Sequence, residues 1–256
     1  MTAVGRRVIG GAVQTLEDVD STQTELARLA AGGAPEGTVV AARHQRSGRG
    51  RRGRVWWDEP KDSLLLSVLL RPPVPTAQAP QLSLVGALAV ADALRAEAGV
   101  EARIRWPNDV VLGGRKICGI LPEAVSNGDG MVQHVILGIG LNVNQEGFPP
   151  DLSERATSLR LATGRRHEPE RLLEALLEAL DRRYSAWRTG GFGVLRDECR
   201  ERSSTLGQPV TLPDGLTGTA VDMDADGALL VQGDDGTLRR VVSGEPEGGA
   251  EHAAGH

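Results

Sequence analysis

Gly48-Arg49-Gly50-Arg51-Arg52-Gly53-Arg54-Val55-Trp56-Trp57 is the stretch on which the fold assignment turns. Its first six residues satisfy Gly-x-Gly-x-x-Gly, the phosphate-binding turn of dinucleotide folds. That turn works by opening a helix whose N-terminal N–H groups face a pyrophosphate. Here the run continues into Asp58-Glu59-Pro60 and then an apolar β-type run at 64–70, so the helix is missing and a doubly wound nucleotide fold is set aside. Two readings are left: a disordered arginine–glycine arm for nucleic acid, or a loop that closes on a phosphate-bearing ligand. Glycines let a backbone fold over a ligand, and arginines present planar, permanently charged donors to phosphate and carboxylate oxygens. The flanking strand-like runs and tryptophans favour the closing loop.

The charge balance of the whole chain supports this choice. Its 256 residues carry a net charge of −5, whereas residues 43–54 hold six arginines and no acid, which leaves −11 on the rest. Such a protein does not coat nucleic acid along its surface, and an internal basic block between apolar runs points to a bound anion. Arginine outnumbers lysine 27 to 2, so Lys61 and Lys116 stand against a strong bias. The two cysteines, Cys118 and Cys199, offer no disulfide framework and fit a reducing compartment. No apolar run is long enough for a membrane span, and the expectation is a cytoplasmic protein. Neither the five histidines nor the cysteines fall at metal-ligand spacing, so metal ligands are left unassigned. No Ser/His/Asp set and no Gly-x-x-x-x-Gly-Lys-Ser/Thr loop is present.

Outward from the loop, Ser21 caps an amphipathic helix that runs to Ala31 and ends at Gly32-Gly33. Residues 38–42 form the strand that enters the loop. Residues 82–98 and 171–187 have helical periodicity. Short strands are expected at 103–106, 110–112, 119–125 and 134–139, joined by turns at Gly113-Gly114 and Asn127-Gly128-Asp129-Gly130. From Thr205 onward, four short strands at about ten-residue spacing suggest a small barrel, with turns at Pro213-Asp214-Gly215, Asp226-Gly227 and Asp234-Asp235-Gly236. The expected class is α+β, with a mixed, mainly antiparallel sheet, flanking helices and a small C-terminal β-barrel. The expected division is 1–204 for the catalytic part and 205–246 for the barrel, with a polar, disordered tail at 247–256.

Two further segments carry chemistry. Arg105-Trp106-Pro107-Asn108-Asp109 precedes Arg115-Lys116-Ile117-Cys118-Gly119-Ile120-Leu121. Trp-Pro-Asn-Asp alone reads as readily as a strand end with a tight turn. Lys116 tilts the balance, because an ordinary solvated cation in this chain would be arginine and a lysine is a compact charge for one oxygen. Gly138-Ile139-Gly140-Leu141-Asn142 permits close backbone approach at a strand end, with Asn142 as donor and acceptor.

These pieces in this order resemble the biotin–protein ligases over roughly residues 13–245, in the form without an N-terminal DNA-binding domain. The landmarks are Asp20-Ser21-Thr22, Gln45 leading into the arginine–glycine run before Trp56, the Trp-Pro-Asn-Asp and Lys-x-x-Gly-Ile-Leu pair, the glycine strand to Val143, and the barrel ending at Ser243-Gly244-Glu245. The resemblance implies a catalytic fold like that of class II aminoacyl-tRNA synthetases. It also implies biotin as substrate, ATP with magnesium, and a biotin carboxyl carrier protein or domain as partner. It allows a homodimer, and implies neither DNA nor membrane binding.

By the same resemblance, Ser21, Thr22, Gln23, Gln45, Gly48, Arg49, Gly50, Arg51, Lys116 and Gly119 would surround biotin. Arg49, Arg51, Arg54, Trp56, Asn108, Asp109 and Asn142 would lie toward ATP and the adenylate. Lys116, Arg51 and Asp109 would be the catalytic set. Gln23 stands where the family usually has asparagine, and the short leader has no room for a winged helix-turn-helix, so no operator binding is expected. A lipoate–protein ligase is the rival enzyme and a nucleic-acid-binding protein the rival of another class. The polar trio Ser21, Thr22 and Gln45 suits the ureido ring of biotin, which demands hydrogen bonds.

Overall fold

The computed structural model describes residues 7–212, 215 and 217–242. Its centre is β3 (Ser63–Leu70), the apolar run that follows the loop, with all eight residues buried. Each buried leucine there contributes roughly 1.5–3 kcal/mol over an exposed one. On one side β3 pairs antiparallel with β2 (Thr38–Ala42), which pairs parallel with β1 (Ala12–Leu16). On the other side lie β7 (Val132–Asn142), β6 (Arg115–Ser126), β5 (Asp109–Leu112) and β4 (Arg103–Arg105), each antiparallel to its neighbour. The sheet order β1-β2-β3-β7-β6-β5-β4 is thus mixed and mainly antiparallel, as the turn spacing implies.

Alternation along the strands divides the sheet into two faces. Val40, Leu69 and Ile136 pack with Leu26 and Ala30 of α1 (Thr22–Ala31). Val39, Ala41, Leu66, Val68 and Leu137 join a larger core with α2 (Gln81–Ala98) and α4 (Pro169–Gly190). Behind these, α5 (Gly193–Glu201) adds Leu195 and Cys199, and Asp92 of α2 pairs with Arg183 at 2.8 Å and Arg202 at 3.0 Å. A short α3 (Leu159–Thr163), capped by the Ser158 hydroxyl, follows β7.

β1, α3 and α5 lie outside the sequence expectation, and the cap of α1 departs from it. β1 and α5 carry no strong apolar pattern, since β1 is mostly exposed and α5 buries two residues. Ser21 does occupy the cap position of α1 in extended conformation, but its side chain makes no capping bond. The hydroxyl is instead buried without a partner.

The C-terminal strands β8 (Pro209–Thr211), β9 (Thr217–Met223), β10 (Leu229–Gly233) and β11 (Leu238–Val241) form an antiparallel sheet in the order β11-β10-β9-β8. Among the described residues no ladder joins β8 to β11. This sheet is pinned to the larger one by Trp106, whose indole N–H donates to the Gly227 carbonyl at 2.9 Å and whose backbone N–H donates to Thr205 Oγ1 at 2.9 Å. Pro213 and Asp214 of the expected turn, Ser243-Gly244-Glu245 and the tail at 247–256 lie outside the described residues.

Candidate active site

The α1 face of the sheet has a hollow made by missing side chains. Strand register aligns Leu65, Gly140 and Gly119 in one row and Ser67, Gly138 and Leu121 in the next. A Cβ on Gly140 would stand 2.6 Å from Trp56 Cε2, and one on Gly119 would stand 2.9 Å from Trp56 Cζ3 and 3.2 Å from Lys116 Nζ. Glycine at these two positions is what lets the Trp56 indole come directly against the sheet backbone. Lys116 Nζ lies 5.6 Å from the centre of the same ring, within cation–π reach.

At the next row the site becomes polar. Gln45 Oε1 accepts the Thr22 backbone N–H at 2.8 Å and its hydroxyl at 3.1 Å, while Thr22 Oγ1 lies 2.8 Å from Ser67 Oγ. Gln23 donates from Nε2 to the Leu121 carbonyl at 3.2 Å and packs against the bare Gly138. Ser21 Oγ and Trp56 Nε1 are buried without a partner. A buried polar group left unpaired costs about 1–3 kcal/mol, so two such atoms beside a glycine floor mark a place for a polar ligand.

The arginine–glycine loop arches over this floor. It is tied to itself by Trp56 N–H donating to the Gly48 carbonyl at 3.0 Å and Gly50 N–H to the Arg54 carbonyl at 2.7 Å. Arg49 pairs with Glu123 of β6 at 2.8 Å, and Arg51 donates to Asn108 Oδ1 at 3.0 Å. Arg52, Arg54 and Val55 face solvent, Val55 at 78% exposure, and Arg52 sits at φ 57°.

Opposite the loop, the β4–β5–β6 hairpin is fixed from below. Asn108 donates from Nδ2 to the Ile120 carbonyl at 3.1 Å and accepts the Ile120 N–H at its own carbonyl at 2.9 Å. Asp109 pairs with Lys116 Nζ at 2.6 Å and lies 3.9 Å from Arg105. Cys118 between them is buried, and that burial pushes its thiol far above the usual range, which makes it inert. Asn142 closes the end of β7, with Nδ2 donating to the Thr157 carbonyl at 3.0 Å and Oδ1 3.4 Å from Gln145 Nε2.

A cavity of about 700 Å³ opens beside this hairpin, lined by Arg51, Trp106, Pro107, Leu121 and Arg240 among others. A smaller one of about 320 Å³ between α2 and α4 is lined by charged residues such as Asp92, Arg182 and Glu97 and lies away from the glycine floor. Among the described residues no group of three His, Cys, Asp or Glu side chains is placed to hold a metal. The structure therefore gathers Ser21, Thr22, Gln23, Gln45, Gly48, Trp56, Lys116 and Gly119 around one floor. Arg49, Arg51, Asn108 and Asp109 lie on its loop and hairpin sides. Asn142 hydrogen-bonds toward Thr157 and Gln145 and not toward this group, and Arg54, with its carbonyl bonded by Gly50, stands on the solvent side of the loop. Ser67 and Glu123 belong to the site without having been singled out for it, because only strand register brings them there, whereas Gly140 lies in the segment read as permitting close backbone approach.

The family described as Biotin/lipoate A/B protein ligase matches residues 16–142, and that described as Biotin protein ligase C terminal domain matches residues 205–245. The chain is 38% identical to the biotin--[acetyl-CoA-carboxylase] ligase of Paracoccus denitrificans over 89% of its own length and 96% of that protein's. It is 36% identical to the bifunctional ligase/repressor BirA of Bacillus subtilis over 90% and 71%. Among solved structures, the biotin protein ligase from Aquifex aeolicus in complex with biotin and ATP superposes with a TM-score of 0.79 at 30% identity, covering 92% of this chain and 97% of that one.

Proposed function

We propose that this chain, which belongs to the biotin/lipoate A/B protein ligase family, is a biotin–[acetyl-CoA-carboxylase] ligase. It activates biotin with ATP to biotinyl-5'-AMP and transfers biotin to a lysine of a biotin carboxyl carrier domain. The observation that carries this reading is the pairing, over one glycine floor, of a hydrogen-bonding end at Ser21, Thr22 and Gln45 with a cationic end at Lys116. Biotin has that shape, with a ureido ring that needs hydrogen bonds and a carboxylate that needs a cation.

In the first step a biotin carboxylate oxygen attacks the α-phosphorus of ATP and pyrophosphate leaves in line. Both reactants are anions, so the protein's main service is to hold them together against their repulsion. Lys116 would hold the carboxylate and Arg51 and Arg49 the phosphates, with Arg54 further along the loop. Asn108 and Asp109 would face the ATP side, and Asn142 would close it. Trp56 would shield the ligand, and Gly48 and Gly50 would let the loop lie close to it. Magnesium is commonly held by substrate phosphates and one or two protein carboxylates, and Asp109 beside Asn108 is the donor pair suited to it. In the second step the acceptor lysine amine attacks the mixed anhydride and AMP leaves. The loop, closed over the floor, would keep water from the anhydride until then.

The division into a catalytic part at 1–204 and a C-terminal part at 205–246 is part of this reading. No helix among the described residues is long and apolar enough to cross a membrane, and the cytoplasm, where ATP is at hand, is the proposed compartment. The same reading allows a homodimer, which sedimentation of the purified chain decides. The function itself is tested by incubating the protein with ATP, magnesium and labelled biotin or lipoate. Biotinyl-AMP is expected; an adenylate from lipoate alone would overturn the reading.

A further inference from the structure

We infer that Asp58 is a positioning residue of the biotin site, acting through His44 on the adjoining Gln45; this rests on the reading of Gln45 as a biotin contact. Asp58 directly follows Trp57 at the far end of the loop, and its side chain is 2% exposed. A carboxylate that deeply buried is costly unless partners hold it. Its partners all lie at the loop's other end. Oδ2 lies 2.9 Å from His44 Nδ1, and the backbone N–H of Gln45 also favours the carboxylate's charged form. Burial outweighs both and raises the Asp58 pKa above the ordinary carboxylate value.

From Gln45 the order passes to the floor. Gln45 Oε1 takes both the Thr22 N–H and hydroxyl, and Thr22 Oγ1 meets Ser67 on β3. One buried carboxylate therefore holds His44, the residue directly before the one expected to meet the ureido ring. Simple closure of the loop does not require it. The neck is already closed by the Lys61 N–H donating to the Arg43 carbonyl at 2.9 Å. Arg46 ties it further, to Asp18 at 2.6 Å and Asp20 at 2.7 Å. What Asp58 adds to these is a buried hold on His44, next to Gln45 in the chain.

The test is a biotin titration in the absence of ATP, with KM for biotin and for ATP measured beside it. Four proteins join the wild type: Asp58→Ala, Asp58→Asn, Gln45→Ala and the Gln45→Ala/Asp58→Ala pair. Asp58→Ala is expected to weaken biotin about tenfold, the loss of a charge-assisted contact, with the KM for ATP changed by less than about twofold. In the Gln45→Ala background, Asp58→Ala is expected to add nothing further, because the two act in series. Asp58→Asn, which keeps an acceptor oxygen, is expected to recover part of the loss.

An Asp58→Ala protein that binds biotin like the wild type overturns the inference, as do additive losses in the double variant. If Asp58→Ala does not fold, Asp58→Asn decides: a rise in the biotin KM alone supports the inference, and equal rises in both KM values overturn it. A wild-type protein that binds no biotin at all overturns the functional reading instead.

Discussion

The arginine–glycine loop and the Trp106–Lys116 hairpin meet over the same floor, yet they are held in opposite ways. In the hairpin, Trp106 is 3% exposed, Asn108 5% and Val110 0%, and every strand has a paired neighbour. In the loop, the arginines contact the rest of the site through side-chain tips, as in Arg49–Glu123 and Arg51–Asn108. The exposed Arg49–Glu123 ion pair is worth little, about 0–1 kcal/mol, and Arg51–Asn108 is a single hydrogen bond. A region held so lightly can open and close, whereas one held by core packing keeps its geometry. Under the proposed function, the contrast gives substrate placement to the hairpin and substrate closure to the loop.

The comparison breaks most visibly at Trp106. Trp106→Ala removes a buried indole and its bond to Gly227, and a destabilisation of about 3–5 kcal/mol is expected by chemical denaturation. A change below about 1 kcal/mol would show that the hairpin is not fixed by packing onto the C-terminal sheet.

Arg51→Ala is the counterpart in the loop. It should leave the melting temperature nearly unchanged while slowing adenylation about 10²–10³-fold, the usual effect of losing a transition-state donor. A normal rate in a pyrophosphate-exchange assay would remove Arg51 from the reaction. The smallest effect is expected from Glu123→Gln, which frees Arg49 from its exposed carboxylate partner. Stability should shift by less than about 1 kcal/mol, with faster loop opening seen as quicker release of biotinyl-AMP. Slower release would mean that Glu123 is not a latch.

The same contrast explains what the sequence discloses. The loop is legible because its chemistry lies in consecutive residues, where six arginines without an acid are an unmistakable local signal. The hairpin is legible through its Gly113-Gly114 turn and through Lys116, which stands out against the arginine bias. The two main helices and the central strands follow from periodicity, whereas β1, exposed along nearly its whole length, leaves no pattern to read. The floor is the least legible part. Gly138, Gly140 and Gly119 become a surface only when β6 and β7 align in register, and Ser67 joins them from β3. Asp58 is hidden for the same reason, since in sequence it is one more acid after two tryptophans. The expected capping bond of Ser21 is wrong: the residue takes the cap position of α1, but its hydroxyl is buried without a partner instead of bonding the first turn.

The central claim is that the fixed hairpin, and Lys116 in particular, receives the carboxylate of biotin. It is tested most directly by titrating Lys116→Ala with biotin alone. The account predicts a loss of roughly 1.5–3 kcal/mol, on the order of a 10- to 100-fold weaker complex, with the fold intact. An affinity equal to that of the wild type would contradict it.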